Sequence, residues 1–255
     1  MIAGTVAVCR AETLTANGVA KRVESATLVA GDPSTNVRGI ATTAMATMDV
    51  LKQASRNGAN LVLTYEPTFF SKAERPMPED PVYKAKREFI EKNGLVVFRV
   101  TRVNDMVNGL ADALGWSKYR VRSDDVLYDV PPASAEETVA AIRAKLSLRG
   151  GLRAVGDRKA RVRRVLLHPG PMTPATMWAR YSEVDLIVAG EVREWENTHY
   201  AADIYTIGEK RGLVTIGRVV SEDPGMRLFA ESLKSVVTEV PARWIAAGDP
   251  YWRAV

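Results

Sequence analysis

The stretch that decides the fold is LVLTYEPTFF at residues 61–70, in which an apolar run ends abruptly in Tyr65, Glu66 and Pro67. Consecutive apolar and β-branched residues followed by a proline indicate a buried strand that runs into a loop. Ligands of open α/β sheets bind at the carboxyl ends of the strands. Glu66 is therefore predicted to lie at a strand end, where a functional carboxylate would be placed.

Helix and strand signals alternate on both sides of this stretch. Helix starts are marked by the capping residues Thr15, Thr47, Asp80, Ser134 and Thr173, and several helix ends are marked by glycine. The predicted strands lie at 37–44, 60–66, 95–102, 126–132, 162–168, 184–192, 213–220 and 242–250. This alternation predicts an α/β protein with mixed sheets covered by helices.

The chain changes character after the short strand VLYDVPP at 126–132, and the glycine-rich segment LRGGLRAVGD follows at 148–157. The second half then shows the same alternation of strands and helices as the first half. We therefore predict two linked α/β lobes, at 14–130 and 131–255, packed around a central cleft, which is a common position for a site. The residues before them, 1–13, form an N-terminal extension.

Composition argues against several kinds of function. Hydrophobic residues make up 46% of the 255 residues and charged residues 25%, as in an ordinary globular protein. No apolar run reaches the roughly 18 residues that a membrane span needs. The net charge of +5 is diffuse apart from GDRKARVRR at 156–164, so nucleic acid is not an expected partner. The single cysteine, Cys9, excludes an internal disulfide.

The N-terminal residues are compatible with two cellular locations. The segment IAGTVAVC at 2–9 is apolar and rich in small residues, as in an export signal, but it has no basic start. The extension is either the remnant of such a signal or a disordered or strand-like N-terminus. The protein is accordingly either exported or cytoplasmic.

Polar side chains also lie at the ends of other predicted strands. Besides Tyr65 and Glu66, these side chains are Thr101, Asp105, Glu191, Glu194, Arg218 and Glu222. Each glutamate taken singly is more often a helix-capping or surface charge. Together they predict a cluster of carboxylates with one arginine among them.

Five segments carry a resemblance to a known family. They read, in order, GDPSTNVRGIATTAMATMDVLKQASRNGANLVLTYEPTFF (31–70), EFIEKNGLVVFRV (88–100), ADALGW (111–116), DLIVAGEVREWE (185–196) and GLVTIGRVVSED (212–223). In this combination the chain, over about residues 14–240, resembles the Nif-three-like dinuclear metal-centre family, whose members often carry the name GTP cyclohydrolase I type 2. The resemblance implies two linked α/β lobes, a metal pair in the cleft, and a toroidal homohexamer built as a trimer of dimers. The chain resembles the short form of the family, without the inserted domain.

The resemblance also implies which positions would bind the metals. The family's ligands are, in chain order, a histidine with a histidine or glutamate, a histidine with an aspartate, and a histidine with a glutamate. The matching positions here are Tyr65, Glu66, Thr101, Asp105, Arg218 and Glu222. The three carboxylate positions are retained, whereas the three histidine positions carry tyrosine, threonine and arginine.

This substitution argues against a tight metal pair, because zinc and iron prefer imidazole ligands. Oxygen ligands from Glu66, Asp105 and Glu222 could hold Mg²⁺, Mn²⁺ or Ca²⁺ weakly. A guanidinium repels such cations and does not lose its proton. We therefore expect no cofactor, and predict that Arg218 supplies the missing positive charge by pairing with Glu66, Glu222 or both.

Three interpretations of the function remain open at this point. One is an enzyme or former enzyme of this family, a hydrolase or cyclohydrolase acting on a small polar heterocycle or nucleotide-like substrate. Another is a metal-free enzyme in which Glu66 or Glu222 is the base, Tyr65 is a proton donor and Arg218 holds an anionic or carbonyl oxygen. The remaining polar residues would then contact substrate, and these are Thr101, Asp105, Glu191 and Glu194. The third interpretation is a non-catalytic hexameric scaffold or binding protein.

Overall fold

A computed structural model describes residues 14–101, 103, 105–146, 148–149 and 151–252 of the chain. The α-helices are α1 (Ala16–Arg22), α2 (Met48–Arg56), α3 (Pro81–Lys92), α4 (Met106–Leu114), α5 (Ala135–Leu146), α6 (Pro174–Arg180), α7 (His199–Thr206) and α8 (Arg218–Val236). The strands are β1 (Ala26–Ala30), β2 (Ile40–Thr43), β3 (Leu61–Thr64), β4 (Val96–Val100), β5 (Leu127–Ser134), β6 (Arg153–Val155), β7 (Arg161–Met172), β8 (Leu186–Val192), β9 (Gly212–Thr215) and β10 (Ala242–Trp244). Among these residues, no helix combines the length and apolar character that a membrane span requires. The predicted N-terminal extension at 1–13 lies outside the described residues.

The described strands form two five-stranded mixed sheets covered by helices, which confirms the predicted α/β class. The order is β1-β4-β3-β2-β10 in the first sheet and β5-β7-β8-β9-β6 in the second. The neighbours β2, β3 and β4 are parallel in the first sheet, as are β7, β8 and β9 in the second. Antiparallel strands lie at the edges, namely β1, β5 and β6.

The carboxyl ends of the central strands in the first sheet meet at one edge. Thr43 of β2 pairs with Thr64 of β3, and Thr64 pairs with Arg99 of β4. All four residues of β3 are buried, as the apolar run predicts. The backbone N–H of Glu66 then donates to the Ala44 carbonyl at 2.8 Å. Glu66 therefore follows directly from a buried strand at this edge.

The two sheets divide the chain differently from the predicted lobes at 14–130 and 131–255. Strand β5 begins at Leu127 and already belongs to the second sheet. The last described strand, β10, returns to the first sheet and pairs with β2 in parallel. The edge strands β1 and β6 lie where no strand was predicted, because both are short and Ala30 is their only buried residue, so neither shows the long apolar run of a buried strand.

The prediction of one strand at 213–220 is wrong. Strand β9 ends at Thr215, and α8 begins at Arg218 after Gly217, whose φ of 96° turns the chain. Val219 and Val220 favour a strand by propensity, but tertiary contacts override this preference. Helix α8 contacts β2 and β10 of the first sheet and β7 and β8 of the second. It is therefore the element that the two sheets share.

Candidate functional site

The N-terminus of α8 brings two of the predicted site residues together. Arg218 is the first residue of the helix and Glu222 follows four residues later, so both side chains lie on the same face. The backbone N–H of Gly217 donates to the Gly190 carbonyl of β8 at 2.9 Å, which holds the helix start against the second sheet. Glu66 approaches the same point from the first sheet. The site therefore lies between the two sheets.

The guanidinium of Arg218 is held by the buried carboxylate of Glu66. Its Nε donates to Glu66 Oε1 at 2.8 Å, and Nη2 lies 2.8 Å from the same oxygen. Nη1 lies 3.6 Å from Glu191 Oε2, and Nε lies 3.7 Å from Glu222 Oε1. Burial lowers the pKa of Arg218, but the charges of these three glutamates outweigh burial and raise it overall. Three carboxyl groups therefore surround one permanent cation.

Glu222 is a buried acid that lies near Arg218 but has no hydrogen-bond partner among the described residues. It is 1% exposed, and neither carboxylate oxygen accepts a hydrogen bond. Burial, followed by the negative charge of Glu66, raises its pKa to about 9, and Arg218 opposes this only in part. Once protonated, Glu222 can donate to Glu66, which further favours the protonated form. Glu222 therefore holds a proton at neutral pH.

Two glycines of the second sheet make room for this arrangement. Gly170 has a φ of 76°, and a Cβ there would lie 2.8 Å from Glu222 Oε1. A Cβ on Gly190 would overlap the Oγ of Ser221. That hydroxyl accepts a hydrogen bond from the Gly170 N–H at 2.8 Å and donates to the Arg218 carbonyl at 2.6 Å. The glycines therefore allow α8 to approach closely enough to bury Glu222.

Tyr65 lies beside the same charges. Its carbonyl accepts a hydrogen bond from Arg99 Nε of β4 at 3.1 Å, which fixes the strand end. Burial raises the pKa of the phenol, and the negative charges of Glu222 and Glu66 add to this effect. Tyr65 is therefore neutral at physiological pH and is able to donate a hydrogen bond at this site.

A cavity of about 770 Å³ opens beside Arg218. Arg218 and Glu191 lie on its wall with side chains 38% and 55% exposed, whereas Glu66 and Glu222 are not among the residues that line it. The other lining residues include Gly151, Leu152, Arg153, Thr215, Tyr251 and Trp252. The volume is typical of a small-molecule site. A bound molecule would thus meet Arg218 and Glu191 first.

Three residues marked by the sequence are not part of this cluster. Asp105 lies at the start of α4, where its carboxylate accepts a hydrogen bond from Ser232 Oγ at 3.3 Å. Ser232 is ten residues beyond Glu222 on α8, a distance of about 15 Å along the helix. Thr101 is exposed, and Glu194 forms an ion pair with Arg153. The structure therefore groups Tyr65, Glu66, Glu191, Arg218 and Glu222 but leaves these three residues outside.

Sequence reasoning missed a buried lysine that supports the loop after Glu66. Lys86 of α3 is 1% exposed, its Nζ donates to the Thr68 carbonyl at 2.5 Å, and it lies over the Phe70 ring. Burial lowers its pKa to about 8. The spacing from Lys86 to the buried Ile90, four residues later on the same helix face, is the one signal that could have revealed it.

The residues at this site do not fit a dinuclear metal centre. The guanidinium of Arg218 lies within 4 Å of both Glu66 and Glu222, where it would repel a bound cation. Asp105 is held elsewhere, by Ser232. Within the part of the chain that the structure describes, no cluster of three or more histidine, cysteine, aspartate and glutamate side chains has an arrangement that could hold a metal ion.

The chain belongs to the Duf34/NIF3 (NGG1p interacting factor 3) family, whose sequence model matches residues 10–247. This confirms the resemblance drawn from the five segments. A curated relative, the GTP cyclohydrolase 1 type 2 homolog of Clostridium perfringens (strain 13 / Type A), is 24% identical over 228 residues, which is 81% of this chain and 82% of that protein.

Solved structures share the fold. The Staphylococcus aureus protein SA1388 aligns with a TM-score of 0.73 at 15% identity, covering 95% of this chain and all of the solved one. A Bacillus cereus protein related to NIF3 aligns with the same TM-score at 13% identity, covering 96% of this chain and all of that one. At these identities the likeness shows the fold alone.

Proposed function

We propose that this protein is a hydrolase of the cyclohydrolase type that acts on a small polar or heterocyclic substrate by acid–base chemistry without a metal. The observation that carries the proposal is the guanidinium of Arg218, which buried Glu66 holds from behind while Nη1 faces Glu191 in the cavity. The name of the Clostridium perfringens relative supports a nucleotide-like heterocycle as the substrate class.

The proposed roles of the site residues depend on which side chains a substrate in the cavity can reach. Arg218 binds the carbonyl oxygen of the substrate and stabilises the negative charge that develops on it. Glu191, the exposed carboxylate beside it, takes a proton from the attacking water. A C–O bond forms, the C–N bond of the ring breaks, and the same proton passes from Glu191 to the leaving nitrogen. Glu66 and Glu222 lie behind Arg218 and position it, whereas Tyr65 is the nearby neutral donor.

The test is turnover with and without a chelator. Purified protein is incubated with lactams, cyclic imides and GTP, and ring opening is followed by the change in ultraviolet absorbance. For GTP, ring opening leaves a formamide, and formate release measures the hydrolysis of that formamide by a second water. We expect activity that survives EDTA and that falls by about 10²–10³-fold in Arg218→Met, as for loss of one oxyanion donor.

Arg164→Met is the matched control. Arg164 is also a partly exposed arginine paired with a carboxylate, Asp129, but it lies away from the cavity. This variant should keep full activity. Loss of turnover on chelation would contradict the metal-free mechanism. An absence of turnover throughout the panel would favour the alternative of a non-catalytic scaffold, for which the homohexamer stays a prediction.

A further inference from the structure

Two buried carboxyl groups lie next to each other at this site. Glu66 is 7% exposed and Glu222 is 1% exposed, and they lie in the loop that follows β3 and in the first turns of α8, respectively. Two carboxyl groups that share a buried site repel each other when both are ionised. Such a pair needs either protons or a cation close by.

The cation present is the guanidinium of Arg218. It lies 2.8 Å from Glu66 and 3.7 Å from Glu222. The other arginine on the cavity wall, Arg153, is paired with Glu194 instead. A guanidinium remains charged at any physiological pH, and its planar array of donors suits carboxylate oxygens from two sides. Arg218 therefore supplies a permanent positive charge opposite Glu66, and the same charge lies beside Glu222, which keeps its proton at neutral pH.

We propose that Arg218 takes the place of the metal ions at this site, and that its removal converts the Glu66–Glu222 pair into a binding site for a single divalent cation. The inference concerns the same cleft as the proposed function but does not depend on turnover. It favours a natural ligand with an anionic or carbonyl oxygen, because such an oxygen accepts hydrogen bonds from a fixed guanidinium.

The geometry favours one replacement in particular. In Arg218→His the imidazole would stand at the first position of α8, one turn before Glu222 and opposite Glu66. One imidazole with two carboxylates would give the three protein ligands that zinc sites with an open position have, and both ligand types bind zinc. The positive charge that excludes the cation would be gone.

The experiment is zinc content after loading. Wild-type chain, Arg218→His, and Arg218→His combined with Glu222→Gln are each incubated with excess ZnCl₂, passed through a desalting column and measured by elemental analysis. We expect well under one equivalent in the wild type, close to one in Arg218→His, and the wild-type level again in the double variant. Arg164→His, beside Asp129 on the surface, should gain no zinc.

A second variant covers the case in which Arg218→His does not fold. In Arg218→Ala the two carboxyl groups lose their cation, so Zn²⁺ should raise the Tm of this variant and leave the wild-type Tm unchanged. Two equivalents retained by the wild type would overturn the inference, as would the absence of any zinc binding or Tm increase in both variants. Zinc content is measured without substrate, so a failure of hydrolysis leaves this result unaffected, and the reverse also holds.

Discussion

Replacing Glu222 by glutamine should stabilise the protein, and increasingly so as the pH rises. The substitution keeps the shape of a side chain that is 1% exposed and removes its ability to ionise. In the folded chain, burial and the charge of Glu66 raise the pKa of Glu222 to about 9 from its ordinary value of 4.5. The unfolded chain releases this proton at a much lower pH than the folded chain does.

This difference in pKa sets the direction in which the stability of the folded chain changes with pH. A carboxyl group with a raised folded pKa contributes fully to stability below pH 4.5, and this contribution is lost as the pH rises towards 9. Each pH unit in that window changes the folding equilibrium up to tenfold, so at pH 7 the wild type is destabilised by about 3 kcal/mol at most. Glutamine does not ionise, so the variant does not lose this stability as the pH rises. Its amide hydrogens can also donate to Glu66.

Urea unfolding at pH 5, 7 and 8.5, followed by circular dichroism at one protein concentration, measures the effect. The free energy of unfolding of Glu222→Gln minus that of the wild type should be small at pH 5 and should grow with pH. Glu231→Gln, an exposed carboxyl on the same helix, is the matched control and should show no such trend. A difference that does not depend on pH, or a variant less stable than the wild type at pH 8.5, would refute the reasoning.

Two further predictions concern the elements around the site. Gly170→Ala should destabilise the protein by about 2–3 kcal/mol, because the new Cβ would lie 2.8 Å from Glu222 Oε1 and displace that carboxyl, in addition to the backbone strain at φ 76°. Gly58→Ala, with a φ of 78° and open space around the Cβ, should cost only about 1 kcal/mol, and equal losses in thermal melts would contradict the packing argument. Lys86, whose folded pKa is lowered to about 8 from 10.5, should make the wild type gain stability relative to Lys86→Met between pH 8 and 10. A flat difference over this pH range in urea unfolding would show that Lys86 is not buried as a charge.

The sequence predicted those features of the fold that local patterns encode. The capping residues Thr47, Asp80 and Thr173 accept the expected backbone hydrogen bonds, since a cap depends only on the residues within one turn. Strand β3, which precedes Glu66, was predicted because an apolar run followed by proline is also a local signal. Edge strand β6 was not predicted, because an exposed edge carries no apolar pattern.

The candidate site was predicted in part for the same reason. The pairing of Arg218 with Glu222 follows from their spacing once a helix begins at residue 218, although the valines after Arg218 predicted a strand instead. Contact of Arg218 with Glu66, 152 residues away, is a long-range consequence of the packing of α8 between the sheets. The position of Asp105 beside Ser232 could not be predicted, because it depends on how α4 packs against α8.

By itself, the sequence determined the chemical character of the site, namely several carboxylates with one arginine among them, and membership of the Duf34/NIF3 family. Only the tertiary structure decided which of these charges meet and which of them are buried. Burial and charge separation depend on contacts between segments that are far apart in the chain, and α8 makes those contacts by packing against both sheets. Glu222 has the ordinary pKa of a glutamate in the unfolded chain, whereas burial beside Glu66 raises its pKa to about 9 in the folded protein.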